Sequence, residues 1–517
     1  MKRLLSKKSL RAFLYICAVP LLLVLSPSVF AQGASRTEPF PRIQADPLAQ
    51  EFYQRGRADS GFSWVDLAEI SVWASGSSGR DAATVLNQIH ILANAVQAAP
   101  GFPATQKEQA EFILTYLHAN VLRSYSLHQT RVDTAFANGR FNCVSSAVLY
   151  LIIGTSVGLD MSGVVTKEHA FVMVHLDGET VDVETTSALG FDPGNRREFH
   201  DEFGRVTGFA YVPAQNYRDR TTITPIELVS LIFSNRIVEQ ETRRRFADAV
   251  PLAVDSTALL TGSGGGTTNT TAASRQSPAS FFEDPATFLL NRLFNFGASL
   301  LNAGKEEESL AWAAYASALY GGPQVWQEFN TAAVNNRIQR FIRGNQFAQA
   351  QDFLERHKPD VNPEDFARLD ALLTDNTLLT QANQIRNRSD GDAAVTAITQ
   401  ARANGRIDDK RADELLIFAV HKTSRELSAA PARDWLQAIK YLEDATARFG
   451  TRREWEEALE AYRHNRAADY HNRFAAAWNR RNYDEARRIL DEGLAEFPTN
   501  RQLLSNQETV NRQQSAR

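Results

Sequence analysis

Cysteine is almost missing from this chain: 517 residues hold two, Cys17 and Cys143. Cys17 lies in a segment that reads as a removable leader, so the processed protein keeps one thiol and closes no internal disulfide. Such a lone thiol is a buried packing residue, an intermolecular link or a reactive nucleophile. Long apolar runs are also lacking beyond the leader, which excludes a later membrane-spanning helix. An excess of cations is lacking too. Lys and Arg number 56 against 60 Asp and Glu. Lys2, Arg3, Lys7, Lys8 and Arg11 fall in the leader, which has no acid, so its loss leaves 51 against 60 and a net charge of −9. That balance excludes an electrostatic binder of nucleic acid. Gly264-Gly265-Gly266 has no following Lys or helix, so no phosphate loop is present. His90, His118, His128 and His200 lack metal-ligand spacing, and no cysteine pair supports zinc. No metal or cofactor is expected.

The leader has the order of a secretory signal. After the basic start, residues 12–25 are almost wholly apolar, and Val29-Phe30-Ala31 ends them with small outer residues. The apolar part is shorter than the ~20 residues of a comfortable span and contains Pro20. Cleavage after Ala31 and a periplasmic or secreted protein are expected, with an uncleaved N-terminal membrane anchor as the alternative.

Residues 45–122 read as helices. Val85, Ile89 and Leu92 recur at helical steps, as do Phe112, Ile113, Tyr116, Leu117 and Val121. Asn138-Gly139 breaks the chain just before Cys143. Residues 144–157 are apolar, with small residues first, and predict a buried helix with Cys143 in its first turn and Gly158 at its stop. Residues 170–176 predict a strand, Asp177-Gly178 a hairpin turn, and residues 180–184 the returning strand. Gly190-Phe191-Asp192-Pro193-Gly194 reads as a turn and residues 207–213 as a further strand. From Pro225 onward the chain reads as helical, broken by a Gly/Thr/Ser linker. Glu306-Glu307-Glu308 and Arg243-Arg244-Arg245 read as solvated helix faces.

This order sets up a thiol chemistry. A helix start aims the positive end of its dipole at Cys143 and favours the thiolate. An imidazole, His169, opens the next strand and can take the proton. A carboxylate beyond it can orient the ring. Asp182 and Glu184 are two apart and share a face in a strand, so either can serve until the register is known. His175, further along the same face as His169, is expected to be structural or exposed. Backbone N–H groups at the helix start would hold an oxyanion, and Asn142 and Gln129 are options for a second donor.

Residues 125–220 resemble the bacterial transglutaminase-like superfamily, which has a papain-like cysteine-hydrolase fold. The matching pieces are Asn142-Cys143 before an apolar helix, Gly158-Leu159, His169-Ala170-Phe171-Val172 and Val183-Glu184-Thr185-Thr186. The family commonly has His-Ala-Trp-Val at the third piece and Asp-Pro-Thr at the fourth. The resemblance implies Cys143 as nucleophile, His169 as base and Glu184 as third member. Glu stands for the usual Asp and the Pro is missing, which keeps Asp182 as a rival. Asp192-Pro193-Gly194 with Thr207-Gly208-Phe209 and Tyr211-Val212-Pro213 resembles a subgroup that joins this domain to helical repeats. The stretch from Tyr470 through Asn482-Tyr483-Asp484-Glu485-Ala486 to Leu490, Gly493, Leu494 and Pro498 is similar to a tetratricopeptide unit. There Tyr483 would pack between paired helices, Ala486 and Gly493 would let them approach, and Pro498 would end the second.

The expected architecture is an α+β N-terminal domain, a Cys-bearing helix on a small antiparallel sheet, followed by an all-α helical repeat region. Its parts are a signal peptide (1–31), a transglutaminase-like domain with N-terminal helices (32–222), a repeat-like helical hairpin (223–261), a flexible linker (262–280) and tetratricopeptide-like repeats (281–517). The expected function is an exported cysteine enzyme for amide hydrolysis or acyl transfer, its repeats binding a peptide or protein. The alternative is a repeat-based binding scaffold whose Cys-containing domain is inert.

Overall fold

The computed structural model describes residues 40–58, 61–166, 169–194, 196–208, 220–262, 284–429 and 433–515. The leader, residues 209–213 of the expected further strand and the linker beyond Gly262 lie outside them. Residues 41–517 form one compact unit. It is mostly helical, with a small sheet in the N-terminal half.

Four helices come first: α1 (Pro47–Ala58), α2 (Trp64–Ala74), α3 (Gly79–Gln97) and α4 (Gln106–Asn120). Their expected stripes turn inward. Val85, Ile89 and Leu92 are buried, as are Ile113 and Leu117. A short strand β1 (Ser124–Tyr125) then pairs in parallel with β2 (Arg140–Phe141), with α5 (Val132–Asn138) between them. Gly139, at φ +73°, caps α5 in the left-handed region that glycine favours.

The central helix is α6 (Cys143–Ser156), followed by β3 (Asp160–Val165), β4 (Ala170–Leu176) and β5 (Glu179–Val183). Residues 144–154 of α6 are buried without a break. A helix apolar all round needs cover on every side. Here α2, α4 and α8 (Pro225–Thr242) pack on it, as do β3 and β4. The sheet runs in the order β5, β4, β3, β6, all antiparallel, with β6 at Thr221–Ile223. Leu176 pairs with Glu179, which leaves Asp177-Gly178 as a two-residue hairpin loop.

Between β5 and β6 lies α7 (Arg197–Thr207), capped by Gly208 at φ +80°. Thr207 and Gly208 therefore end a helix, not the strand expected there. Phe199 and Phe203, four apart, give α7 its buried face. After α8 come α9 (Phe246–Thr261), then α10 (Pro285–Asn302), α11 (Glu306–Ser317), α12 (Gly322–Arg343), α13 (Phe347–Arg356) and α14 (Pro363–Asn383). The chain finishes with α15 (Arg388–Ala403), α16 (Asp409–Ser428), α17 (Trp435–Phe449), α18 (Arg453–Asn479), α19 (Tyr483–Glu496) and α20 (Arg501–Ser515).

From α9 each of these helices packs on the next, and several also reach the next but one. Arg411 meets Asp375 and Lys422 meets the Asn383 carbonyl, 36 and 39 residues apart. The partners advance together along both helices, so α14 and α16 run in the same direction. At the C-terminal end, a Cβ on Gly493 would stand 3.0 Å from the Tyr470 ring, so its absence lets α19 close on α18. Ala486 is fully buried in the same seam, and Tyr483 sits half-buried with its ring 5.0 Å from that of Trp478. Glu306 corrects the expectation of a solvated acidic face: it is 1% exposed and meets Arg340 of α12 at 3.0 Å. Arg243, Arg244 and Arg245 are exposed, but they form the turn between α8 and α9.

The segment before α1 is fastened to distant parts of the chain. Asp255 of α9 accepts two hydrogen bonds from Arg42, and the Tyr320 hydroxyl donates to the Ile43 carbonyl at 2.8 Å.

Candidate active site

Asn142 begins the site by starting α6. Its side-chain oxygen accepts from the Val144 and Ser145 N–H groups at 3.0 Å, and Ser145 Oγ accepts from the Asn142 N–H at 2.9 Å. This reciprocal cap fixes the first turn and puts the half-buried Cys143 at its first position. Cys143's own N–H has no hydrogen-bond partner among the described residues and is left at the helix start. Asn142 Nδ2 is committed to the Leu127 carbonyl and Gln129 Nε2 to the Arg131 carbonyl. Both optional oxyanion donors are therefore engaged in holding backbone.

His169 sits one residue before β4, its carbonyl accepting from the N–H of Thr166, the residue after β3. Its Nε2–H donates to Glu184 Oε2 at 2.5 Å. With Nε2 so committed, Nδ1 is the nitrogen left to face the Cys143 thiol, which lies near enough to act on the ring's charge. Burial works against the imidazolium, but the charge and hydrogen bond of Glu184 and the nearness of Cys143 outweigh it. The ring is held well above its ordinary range. Phe171 stacks beside the ring at 6.2 Å and Phe203 meets it edge-on at 5.7 Å.

Glu184 is not a strand residue. β5 ends at Val183, and the chain folds back so that the Glu184 N–H reaches the Gly190 carbonyl at 2.8 Å. The approach is so close that a Cβ on Gly190 would stand 1.9 Å from the Glu184 carbonyl oxygen. The other carboxylate oxygen accepts from the Thr186 N–H at 3.1 Å and hydroxyl at 2.7 Å. Three donors thus fix a carboxylate that is 2% exposed.

Asp182 goes elsewhere. It pairs across β5 and β4 with Met173, and its oxygens accept from Arg220 at 2.8 and 2.9 Å. The two acids expected to share a face are separated because the strand stops between them. His175, as expected for a structural residue, bonds Ser162 across the sheet at 3.0 Å.

Four residues around the site went unassigned in the sequence. Ser146 Oγ and Thr185 Oγ1 lie 2.9 Å apart and latch the second residue pair of α6 to the acid loop. His118 Nε2–H donates to the Thr185 carbonyl at 3.0 Å. Burial lowers the pKa of that ring, which keeps it neutral in this role. Tyr125 faces Phe141 in register, with rings 6.0 Å apart, two residues before Cys143. Its hydroxyl has no hydrogen-bond partner among the described residues. Burial raises its pKa, and the nearby Cys143 and Glu184 charges raise it further, so it stays a neutral donor. Nothing local in the sequence marked these roles, which depend on chain segments far apart.

The described residues contain no cluster of three or more His, Cys, Asp or Glu fit to hold a metal. No described helix is long and apolar enough to cross a membrane. When compared with known family models and with curated proteins, the chain matches none.

Proposed function

We propose that this chain is an exported cysteine enzyme of transglutaminase-like type that cleaves or transfers an acyl group at an amide carbonyl. The observation that carries the reading is the His169 ring, held at Nε2 by buried Glu184 and close enough to Cys143 for the thiol to act on its charge. A packing thiol needs no such partners, whereas a nucleophile needs a base and the base needs an orienter. The order of helix with Cys, strand with His and acid beyond the following strand supports the family resemblance.

His169 Nδ1 takes the thiol proton, and Cys143 Sγ attacks the carbonyl carbon. The carbonyl π pair moves to oxygen, where the Cys143 N–H and the Tyr125 hydroxyl donate to it. The tetrahedral species collapses, the C–N bond breaks, and the imidazolium gives its proton to the leaving amine. Water or a second amine, deprotonated by His169, then attacks the thioester and releases Sγ. Glu184 keeps its charge and holds Nε2–H throughout. The stacked helices of residues 281–517, read as tetratricopeptide-like, present an extended surface that binds a peptide or protein substrate. The basic and apolar leader supports export to the periplasm or beyond.

The test is alkylation of the full chain with iodoacetamide under reducing conditions, with the labelled peptide located by mass spectrometry. Cys143 is expected to react far faster than a free thiol peptide. Cys143→Ala is expected to lose that label and all hydrolysis of p-nitrophenyl acetate. A Cys143 that stays unlabelled while His169 and Glu184 are intact would overturn the reading.

A further inference from the structure

A pocket lies among α1, α2, the start of α3, α8 and α9, with a volume of about 530 Å³. It shares no lining residue with the Cys143 site. Its size falls within the roughly 300–1,000 Å³ of small-molecule sites. Phe52, Trp73 and Phe233 form an aromatic wall, with the Trp73 ring 5.7 Å from Phe52 and 5.0 Å from Phe233.

The charges lining it are mostly answered within the protein. Glu69 pairs with Arg55 at 2.7 Å and Asp255 with Arg42 at 2.7 Å. Asp46 accepts the Leu48 N–H at the start of α1. Arg236 differs, because it has no carboxylate within ion-pair distance among the described residues. Its guanidinium donates to the Ala74 carbonyl at the end of α2, which uses one of its five N–H donors. It lies across Gly76, where a Cβ would stand 2.7 Å from a guanidinium nitrogen. Gly76 has φ +85°, so the backbone also favours glycine at the place where the guanidinium needs room. Burial and neighbouring Arg131 lower this arginine's pKa, against the opposing charges of Asp133, Glu239 and Asp255.

We propose that this cavity binds a small aromatic carboxylate, its carboxylate on Arg236 and its ring against Phe52, Trp73 and Phe233. Guanidinium and carboxylate match in a two-point hydrogen bond, and the aromatic wall suits a flat apolar body. Inorganic phosphate has the charge but no ring, and a neutral amide has the ring but no charge. These two compounds separate the contributions.

The full chain is titrated with phenylacetate, indole-3-acetate, phenylacetamide and inorganic phosphate, and followed by thermal melting and by tryptophan fluorescence. At least one of the two acids is expected to raise the melting temperature and change the fluorescence, with the amide and phosphate at least about tenfold weaker. Arg236→Met is expected to weaken acid binding by at least about tenfold. Ala82→Trp, which fills the pocket from α3 and leaves Arg236 in place, is expected to abolish it. Should Arg236→Met fail to fold, Ala82→Trp and the acid-to-amide ratio decide. No response to either acid at millimolar concentration overturns the proposal, as do equal binding of acid and amide or wild-type affinity in the folded variants. None of these readings depends on Cys143 reactivity.

Discussion

The two halves of the molecule bury different things. Around the site, Asn142, Ser145, Ser146, Glu184, Thr185, Thr186 and Ser187 are all buried polar residues, joined by hydrogen bonds. In the helical stack the interior is apolar, as in the cluster of Val334, Ile338, Phe353, Leu354, Leu369 and Leu373. There most charges lie toward the outside, in pairs such as Arg411 with Asp375 and Arg466 with Glu496, with Glu306 a buried exception. Buried polar groups are costly unless each finds a partner, and apolar packing holds a fold at less risk. The first half carries a network that its stability alone does not require, and that network converges on His169.

This contrast can be broken at either end. Glu184→Gln keeps the size of the side chain and removes the charge. It is expected to lower p-nitrophenyl acetate hydrolysis by about 10²–10⁴-fold while circular dichroism stays unchanged. Phe353→Ala, at a fully buried position of α13, is expected to cost about 3–5 kcal/mol in denaturant unfolding and to leave Cys143 alkylation as it was. If alkylation falls with stability, the halves are not separable in the way described. Tyr125→Phe removes only a hydroxyl. Ester hydrolysis is expected to fall about 10²-fold, with iodoacetamide alkylation retained because alkylation builds no oxyanion.

His169 gives the contrast a pH signature. Its folded pKa is raised, so its contribution to stability is fully present below the ordinary imidazole range and is lost as pH rises through the folded value. The gap in unfolding free energy between wild type and His169→Gln is therefore expected to shrink from about pH 6.5 upward. A gap that widens on alkalinisation would contradict the imidazolium at the site. The smallest change is expected from Asp182→Asn. Its ion pair with Arg220 is partly exposed, so the loss is at most about 1 kcal/mol, and Cys143 alkylation is unaffected.

Local signals made much of this legible. Asn142-Cys143 before small and apolar residues placed the thiol at a helix start, and Asp177-Gly178 placed the hairpin beyond it. The choice between Glu184 and Asp182 was not legible, because strand alternation holds only while the strand continues. It stops at Val183, and a contact with Gly190 aims the acid. β3 was hidden by Ser162-Gly163, residues of low strand propensity directly after an apolar helix. Glu306 looked like a solvent residue until α12 brought Arg340 over it. The misses share one cause: the partner comes from an element that composition nearby does not announce.

Arg42 and Ile43 leave the ribosome early, yet their seats are Asp255 and Tyr320, 213 and 277 residues later. Synthesis order and assembly order are thus opposed at this point. The early segment stays undocked until the intervening helices exist, and a nascent or truncated product ending before Tyr320 leaves the Ile43 carbonyl without this donor.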